Sequence, residues 1–203
     1  MKRKKIGFLG GSFDPIHFGH IHLGISLQEK HGFDEVIVCP SFRSPFKNVL
    51  PESGMHRLSM VQLAIENIAS WSILDWEVRR EAPSYTIDTI KYLMTTKFSK
   101  EEAELFLLMG FDVGKDFFTW KEVDALCALA TPVIGSRIER SEHRVAQHDA
   151  DLSDKGAIFT PISFFEISAT EVRDRIQKKM YCGHLVPAKV LDYIAHYQLY
   201  LPH

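Results

Sequence analysis

Ile6-Gly7-Phe8-Leu9-Gly10-Gly11-Ser12-Phe13-Asp14-Pro15-Ile16-His17-Phe18-Gly19-His20 begins as a short apolar run, breaks at paired glycines, and passes into helical spacing from Phe18. A continuous apolar run bounded by turn residues reads as a buried strand. Paired glycines at its end let the backbone turn tightly and leave amide N–H groups available to an anion. The segment is therefore a phosphate-binding style of loop between a strand and a helix. It is not a dinucleotide fingerprint, because no GxGxxG is present. Nor is there a Walker A loop: the nearest approach, Gly110-Phe111-Asp112-Val113-Gly114-Lys115-Asp116, lacks one spacer residue and has no Ser or Thr after the lysine.

The same grammar repeats outward from this segment. Buried strands are predicted at Ile6–Leu9, Val36–Cys39, Leu105–Met109, Pro132–Ile134 and Ala157–Phe159, with a weaker candidate at Ile73–Trp76. Helical spacing is found near Phe18–Lys30, Met55–Ala69, Thr86–Lys97, Lys121–Leu129, Ala169–Lys179 and Pro187–Leu199. Strand and helix alternate, which predicts an α/β parallel sheet with helices on both faces. The polar stretch Ser136–Lys155 reads as a long surface loop. In such sheets ligands bind beyond the carboxyl ends of the strands, where the strand order reverses. Chemistry is expected at Gly10–His20, Gly110–Asp112 and Ile167–Arg173, each of which follows a strand.

Composition limits the partners. The 203 residues are 45% apolar and 25% charged, an ordinary globular balance that excludes disorder and suits one domain over residues 1–203. Lys and Arg number 24 against 26 Asp and Glu, giving a net charge of -2, whereas domains that bind nucleic-acid polymers carry a basic excess. Cys39, Cys127 and Cys182 are far apart and form no CxxC pair, which argues against a disulfide scaffold or zinc ribbon and fits a reducing, cytoplasmic setting. The basic start, Met1–Lys5, precedes an apolar run too short for a signal peptide and reads as a solvated lead-in to the first strand. No run approaches the roughly 18 apolar residues of a membrane span, so no membrane partner is expected.

His17 and His20, three apart at a helix start, can project from one side of the first turn beside the positive dipole end. They can donate hydrogen bonds to phosphate oxygens and stabilise charge on a transferring phosphoryl group. With His22 they could instead form a metal site; His22 lies toward another helix face and no HExxH pattern accompanies it, so the reading carries no metal ligands. Ser168-Ala169-Thr170-Glu171 is a capping box, and Arg173 in the first turns of that helix is either a phosphate ligand or a surface charge. Thr86 reads as a helix N-cap, Trp120 as core packing, and Asp112 as a turn residue.

The run Gly10-Gly11-Ser12-Phe13-Asp14-Pro15-Ile16-His17-Phe18-Gly19-His20 resembles the HxGH signature of the nucleotidylyltransferase superfamily. Ser84-Tyr85-Thr86-Ile87-Asp88-Thr89, Gly110-Phe111-Asp112 with Trp120, Ile167-Ser168-Ala169-Thr170-Glu171-Val172-Arg173, and Leu185-Val186-Pro187 with Leu199-Tyr200 follow in the order found in bacterial nicotinate-nucleotide adenylyltransferases. The resemblance implies a Rossmann-like doubly wound parallel sheet with a small C-terminal helical extension, near residues 163–203. It implies transfer of AMP from ATP, usually with Mg, to nicotinate mononucleotide by direct attack, giving deamido-NAD and pyrophosphate in NAD biosynthesis. On that pattern His17 and His20 would be catalytic. Gly10, Gly11, Ser12, Phe13, Lys47, Gly110, Asp112, Ser168, Thr170 and Arg173 would bind ATP, and Thr86, Trp120 and Arg137 the mononucleotide. The sequence departs from the family at Ser44-Pro45-Phe46-Lys47, where Pro-Pro-His-Lys is usual, at Ser136-Arg137-Ile138, and at Phe111. Rival readings are a sibling transferase acting on nicotinamide mononucleotide or phosphopantetheine, or transferring CMP, and a nucleotide-binding regulatory module without turnover.

Overall fold

A computed structural model describes residues 2–43, 52–99, 101–137 and 155–201. Six strands form one parallel sheet: β1 (Lys4–Gly11), β2 (Glu35–Pro40), β3 (Trp71–Ile73), β4 (Ala103–Gly110), β5 (Ala130–Arg137) and β6 (Ile158–Ile162). Their order is β3-β2-β1-β4-β5-β6, so the chain reverses its direction of travel between β1 and β4. This is the doubly wound arrangement, and its switch point lies where the glycine loop leaves β1.

Alternation along the central strands distributes apolar side chains to two layers. Leu9, Val36, Val38, Leu108 and Val133 join one core with Leu27, Met60, Val61 and Val190. Ile6, Phe8, Ile37, Leu105, Leu107 and Ile134 join the other with Ile87, Ile90, Leu93 and Leu126. The first layer is covered by α1 (Phe18–His31), α2 (Gly54–Ile65), α7 (Ala169–Gln177) and α8 (Ala188–His196); the second by α4 (Thr86–Thr96) and α6 (Val123–Leu129). α1 ends at Gly32, whose left-handed φ of 64° lets its amide return to the Gln28 carbonyl at 2.8 Å.

The structure shifts several predicted boundaries. β3 begins at Trp71 rather than Ile73, because the Trp71 indole packs over Gly24 of α1, where a Cβ would lie 2.4 Å from the ring, and donates to Gln28 Oε1 at 2.8 Å. Trp76 opens a short helix, α3 (Trp76–Arg80), instead of closing a strand. Another short helix, α5 (Phe111–Gly114), follows β4 directly. Tyr85, not Thr86, is the N-cap of α4; Thr86 is its first residue. Ser136 and Arg137 extend β5, and most of the expected surface loop after them lies outside the described residues.

Candidate active site

A cleft of about 1060 Å³ opens beyond the carboxyl ends of β1 and β4. Three separate segments build it: Ser12–His20 after β1, Gly110–Lys115 after β4, and Phe164–Arg173, which follows β6 and enters α7. These are the three segments that the strand-end argument singles out. The sheet register explains the convergence of the first two, since β1 pairs directly with β4 from Lys4 against Ala103 to Phe8 against Leu107, which brings the strand ends Gly11 and Gly110 to one level.

Phe13 turns the loop with a left-handed φ of 47°, an uncommon conformation for a bulky residue that local packing must hold. Its buried ring meets the edge of His20, with centroids 5.1 Å apart. Gly11 leaves the space for it, because a Cβ there would lie 3.0 Å from the Phe13 ring. His17 and His20 stack at 3.7 Å with an interplanar angle of 28°. The His17 amide donates to His20 Nδ1 at 3.3 Å, so a neutral His20 carries its proton on Nε2. His17 is 5% exposed, and its Nδ1 is buried with no hydrogen-bond partner. Burial pushes its pKa down to about 4, so near neutral pH it is an uncharged ring. Gly19 serves this pair directly: a Cβ at that position would come within 3.0 Å of His17 Nδ1.

α7 presents its N-terminus to the cleft. Ser168 Oγ accepts from the Glu171 amide at 3.1 Å, which is half of the expected capping box. Arg173 is fixed at both ends of its fork, with Nη1 donating to the Asp14 carbonyl at 2.6 Å and Nη2 to Thr170 Oγ1 at 3.2 Å. Across the cleft, Phe111 lies under Lys115, whose Nζ is 4.9 Å from the ring centre, and Asp112 pairs with Lys115 at 2.9 Å.

Beneath the loop, Arg57 of α2 is fully buried and donates to three main-chain carbonyls: Ser12 at 2.6 Å, Glu52 at 2.8 Å and Phe42 at 2.9 Å. Burial lowers its pKa, and the nearby charge of Asp14 opposes that shift. Sequence reading missed Arg57 because an arginine in an amphipathic helix looks like a surface charge. It also passed over Asp14, Lys115 and Glu166 as cleft residues. The Gly114-Lys115 pair, noticed only as a failed Walker A loop, was the available signal for Lys115.

Ser12, Phe13, His17, His20, Gly110, Asp112, Ser168, Thr170 and Arg173 all line the cleft. Gly10 and Gly11 shape the strand end behind it and are not among its lining residues. Thr86 and Trp120 lie off this cleft, on the face covered by α4 and α6. Their sequence neighbours meet there, since Lys121 lies 4.7 Å over the Tyr85 ring and 3.5 Å from Asp88, while Trp120 packs against Phe117. Arg137 is the last residue of β5, and Lys47 lies outside the described residues. His22 is occupied elsewhere, with Nε2 2.7 Å from the Ser163 carbonyl and its ring stacked on Phe165. Among the described residues no group of three or more His, Cys, Asp or Glu side chains surrounds a metal position, and no helix is long and apolar enough to cross a membrane.

Comparison with known proteins fits this geometry. Residues 8–175 match the cytidylyltransferase-like family model. The chain is 36% identical to a probable nicotinate-nucleotide adenylyltransferase of Dictyoglomus turgidum, over 97% of this chain and 95% of that one. It is 34% identical to the corresponding protein of Clostridium beijerinckii, over 97% and 99%. A solved structure of Plasmodium falciparum nicotinic acid mononucleotide adenylyltransferase, complexed with NaAD, superposes with a TM-score of 0.74 at 21% identity, covering 98% of both chains; at that identity the likeness is one of fold.

Proposed function

The chain belongs to the nicotinate-nucleotide adenylyltransferase family of cytidylyltransferase-like proteins, and from that premise we propose how its cleft transfers AMP from ATP to nicotinate mononucleotide, giving deamido-NAD and pyrophosphate for NAD biosynthesis. The observation that carries this reading is the meeting of a stacked histidine pair, a braced arginine and a helix N-terminus at the sheet's switch point.

The mononucleotide's 5′-phosphate attacks the α-phosphorus of ATP in line, and pyrophosphate leaves. No covalent intermediate on the protein is required, so its work is alignment and stabilisation of charge. His20, with its proton on Nε2, donates to a phosphate oxygen as negative charge builds in the transition state. His17, neutral because it is buried, supplies a second polar group from beneath the stack. Arg173 holds the departing phosphates with the donors it does not spend on Asp14 and Thr170. Ser168, Thr170 and the α7 N-terminus receive the same anion. Gly10, Gly11, Ser12, Phe13, Gly110 and Asp112 shape the ATP site, with Lys47 adding charge. Thr86, Trp120 and Arg137 receive the mononucleotide, and Trp120 stacks on its pyridine ring.

ATP enters as its magnesium complex. The cleft wall sets Asp14, Asp112, Glu166 and Glu171 beside Lys115 and Arg173, so a triphosphate there benefits from a cation that it brings itself. Mg2+ suits that part because it binds through phosphate oxygens and water rather than a dedicated protein cage. We assign the protein to the cytoplasm, in keeping with its three free cysteines.

The test is pyrophosphate release from ATP by the purified protein, offered nicotinate mononucleotide, nicotinamide mononucleotide or phosphopantetheine, with CTP as an alternative donor. ATP with nicotinate mononucleotide should give the highest kcat/KM. Preference for another pair would reassign the substrate, and tight ATP binding without release would identify a regulatory module.

A further inference from the structure

We propose that Tyr200 is a positioning residue for this site: its hydroxyl holds Asp14 so that the carboxylate does not close a two-oxygen fork on Arg173. The inference rests on the reading of Arg173 as a triphosphate ligand. Asp14 presents a difficulty for any anion site, since it places a carboxylate in the wall of the cleft. The structure resolves this by engaging each of its oxygens. Oδ1 accepts from the Tyr200 hydroxyl at 2.8 Å and from the Glu52 amide at 3.2 Å. The main-chain carbonyl accepts Arg173 Nη1 at 2.6 Å, and only Oδ2 remains near the guanidinium, at 3.7 Å.

A carboxylate free to rotate would meet guanidinium with both oxygens, the strongest geometry open to that pair. Such a fork would occupy the donors of Arg173. With Oδ1 tied to Tyr200, Asp14 instead braces the arginine through its carbonyl and leaves donors for phosphate. The phenol is suited to the task. Burial and the adjacent Asp14 charge push its pKa well up, so it stays protonated and donates.

The backbone supports the same assignment. Gln198 and Tyr200 adopt φ values of 53° and 63°, a left-handed turn that neither side chain favours, and Leu199 between them is buried in the core. Glu52, which supplies the other donor to Asp14 Oδ1, has its own carbonyl held by Arg57. Two elements distant in sequence therefore converge on one carboxylate oxygen.

The experiment is a double-mutant cycle on the full chain. Affinity for a non-hydrolysable ATP analogue is read by calorimetry, and KM for the mononucleotide is measured alongside. Tyr200→Phe keeps the ring and removes the hydroxyl. It should weaken analogue binding about three- to tenfold, the size of one hydrogen bond, while the mononucleotide KM stays the same. In an Arg173→Ala background the same change should have no further effect on analogue affinity. Equal losses in both backgrounds, or no loss in the native background, would overturn the role of Tyr200. Undiminished analogue binding by Arg173→Ala alone would instead overturn the reading of Arg173 on which the proposal rests.

Discussion

The two sides of the site are built differently. On the side assigned to the phosphates, the glycine loop, histidine pair and α7 N-terminus meet in one cleft, and their main chain is tied down by Arg57, Asp14 and Arg173. On the side assigned to the pyridine base, Thr86 and Trp120 sit at the margin of the other core layer, linked through Tyr85, Asp88 and Lys121 at the surface. The contrast fits what each side is proposed to recognise. A triphosphate demands fixed donors, and small displacements forfeit transition-state stabilisation. A flat ring demands a stacking surface, which tolerates displacement and acts alike before and during reaction.

The largest test of that contrast is Arg57→Ala, which would strip three buried carbonyls of their donor and should cost about 3 kcal/mol or more of unfolding free energy. Urea denaturation measures it, and a loss below about 1 kcal/mol would mean that the brace is dispensable. Next, His20→Ala should raise the barrier by about 2–4 kcal/mol while leaving the melting temperature close to native. Native turnover in the folded variant would remove His20 from the mechanism. His17 gives a pH signature. Its folded pKa of about 4 lies below the ordinary 6.5 of an exposed imidazole, so below pH 6.5 the unfolded chain takes up a proton that the folded ring refuses. Stability should be full above that pH and fall by about 3 kcal/mol as pH drops towards 4. His17→Asn should flatten this limb in denaturation curves taken across that range. An unchanged slope would assign it to other groups. The smallest effect belongs to the base side: Trp120→Ala should raise the mononucleotide KM by roughly 1–2 kcal/mol equivalent with kcat little changed. An equal loss in kcat would make Trp120 part of the rigid half.

The cleft built by the glycine loop and the α7 N-terminus was legible in the sequence because its determinants are local. Strand, paired glycines and two histidines fall within fifteen consecutive residues, and the capping box within four. The main strands were legible too, as apolar runs ending in turn residues. Helices of four or five residues, such as α3 and α5, complete too few turns to impose periodicity. Trp71 could be placed only by its packing on Gly24, which lies on another element. Arg57 acts on Phe42 and Ser12, 15 and 45 positions away, and nothing in its own helix announces that. For Thr86 and Trp120 composition and spacing offer only a helix cap and a core indole. Resemblance alone implies a substrate role, and neither residue lines the cleft.

The hydrogen bonds that complete the loop span most of the chain. Arg173 reaches Asp14 across 159 positions, Tyr200 reaches the same residue across 186, and the Phe18 amide at the head of α1 donates to the Leu185 carbonyl at 2.9 Å. During synthesis the glycine loop therefore leaves the ribosome long before its partners exist. A nascent chain that has already paired its first strands still lacks the Arg173 and Tyr200 contacts to Asp14. The closures that complete the loop therefore draw on the last part of the chain to be made, and contacts of such long sequence separation carry a loop-entropy cost that local ones do not.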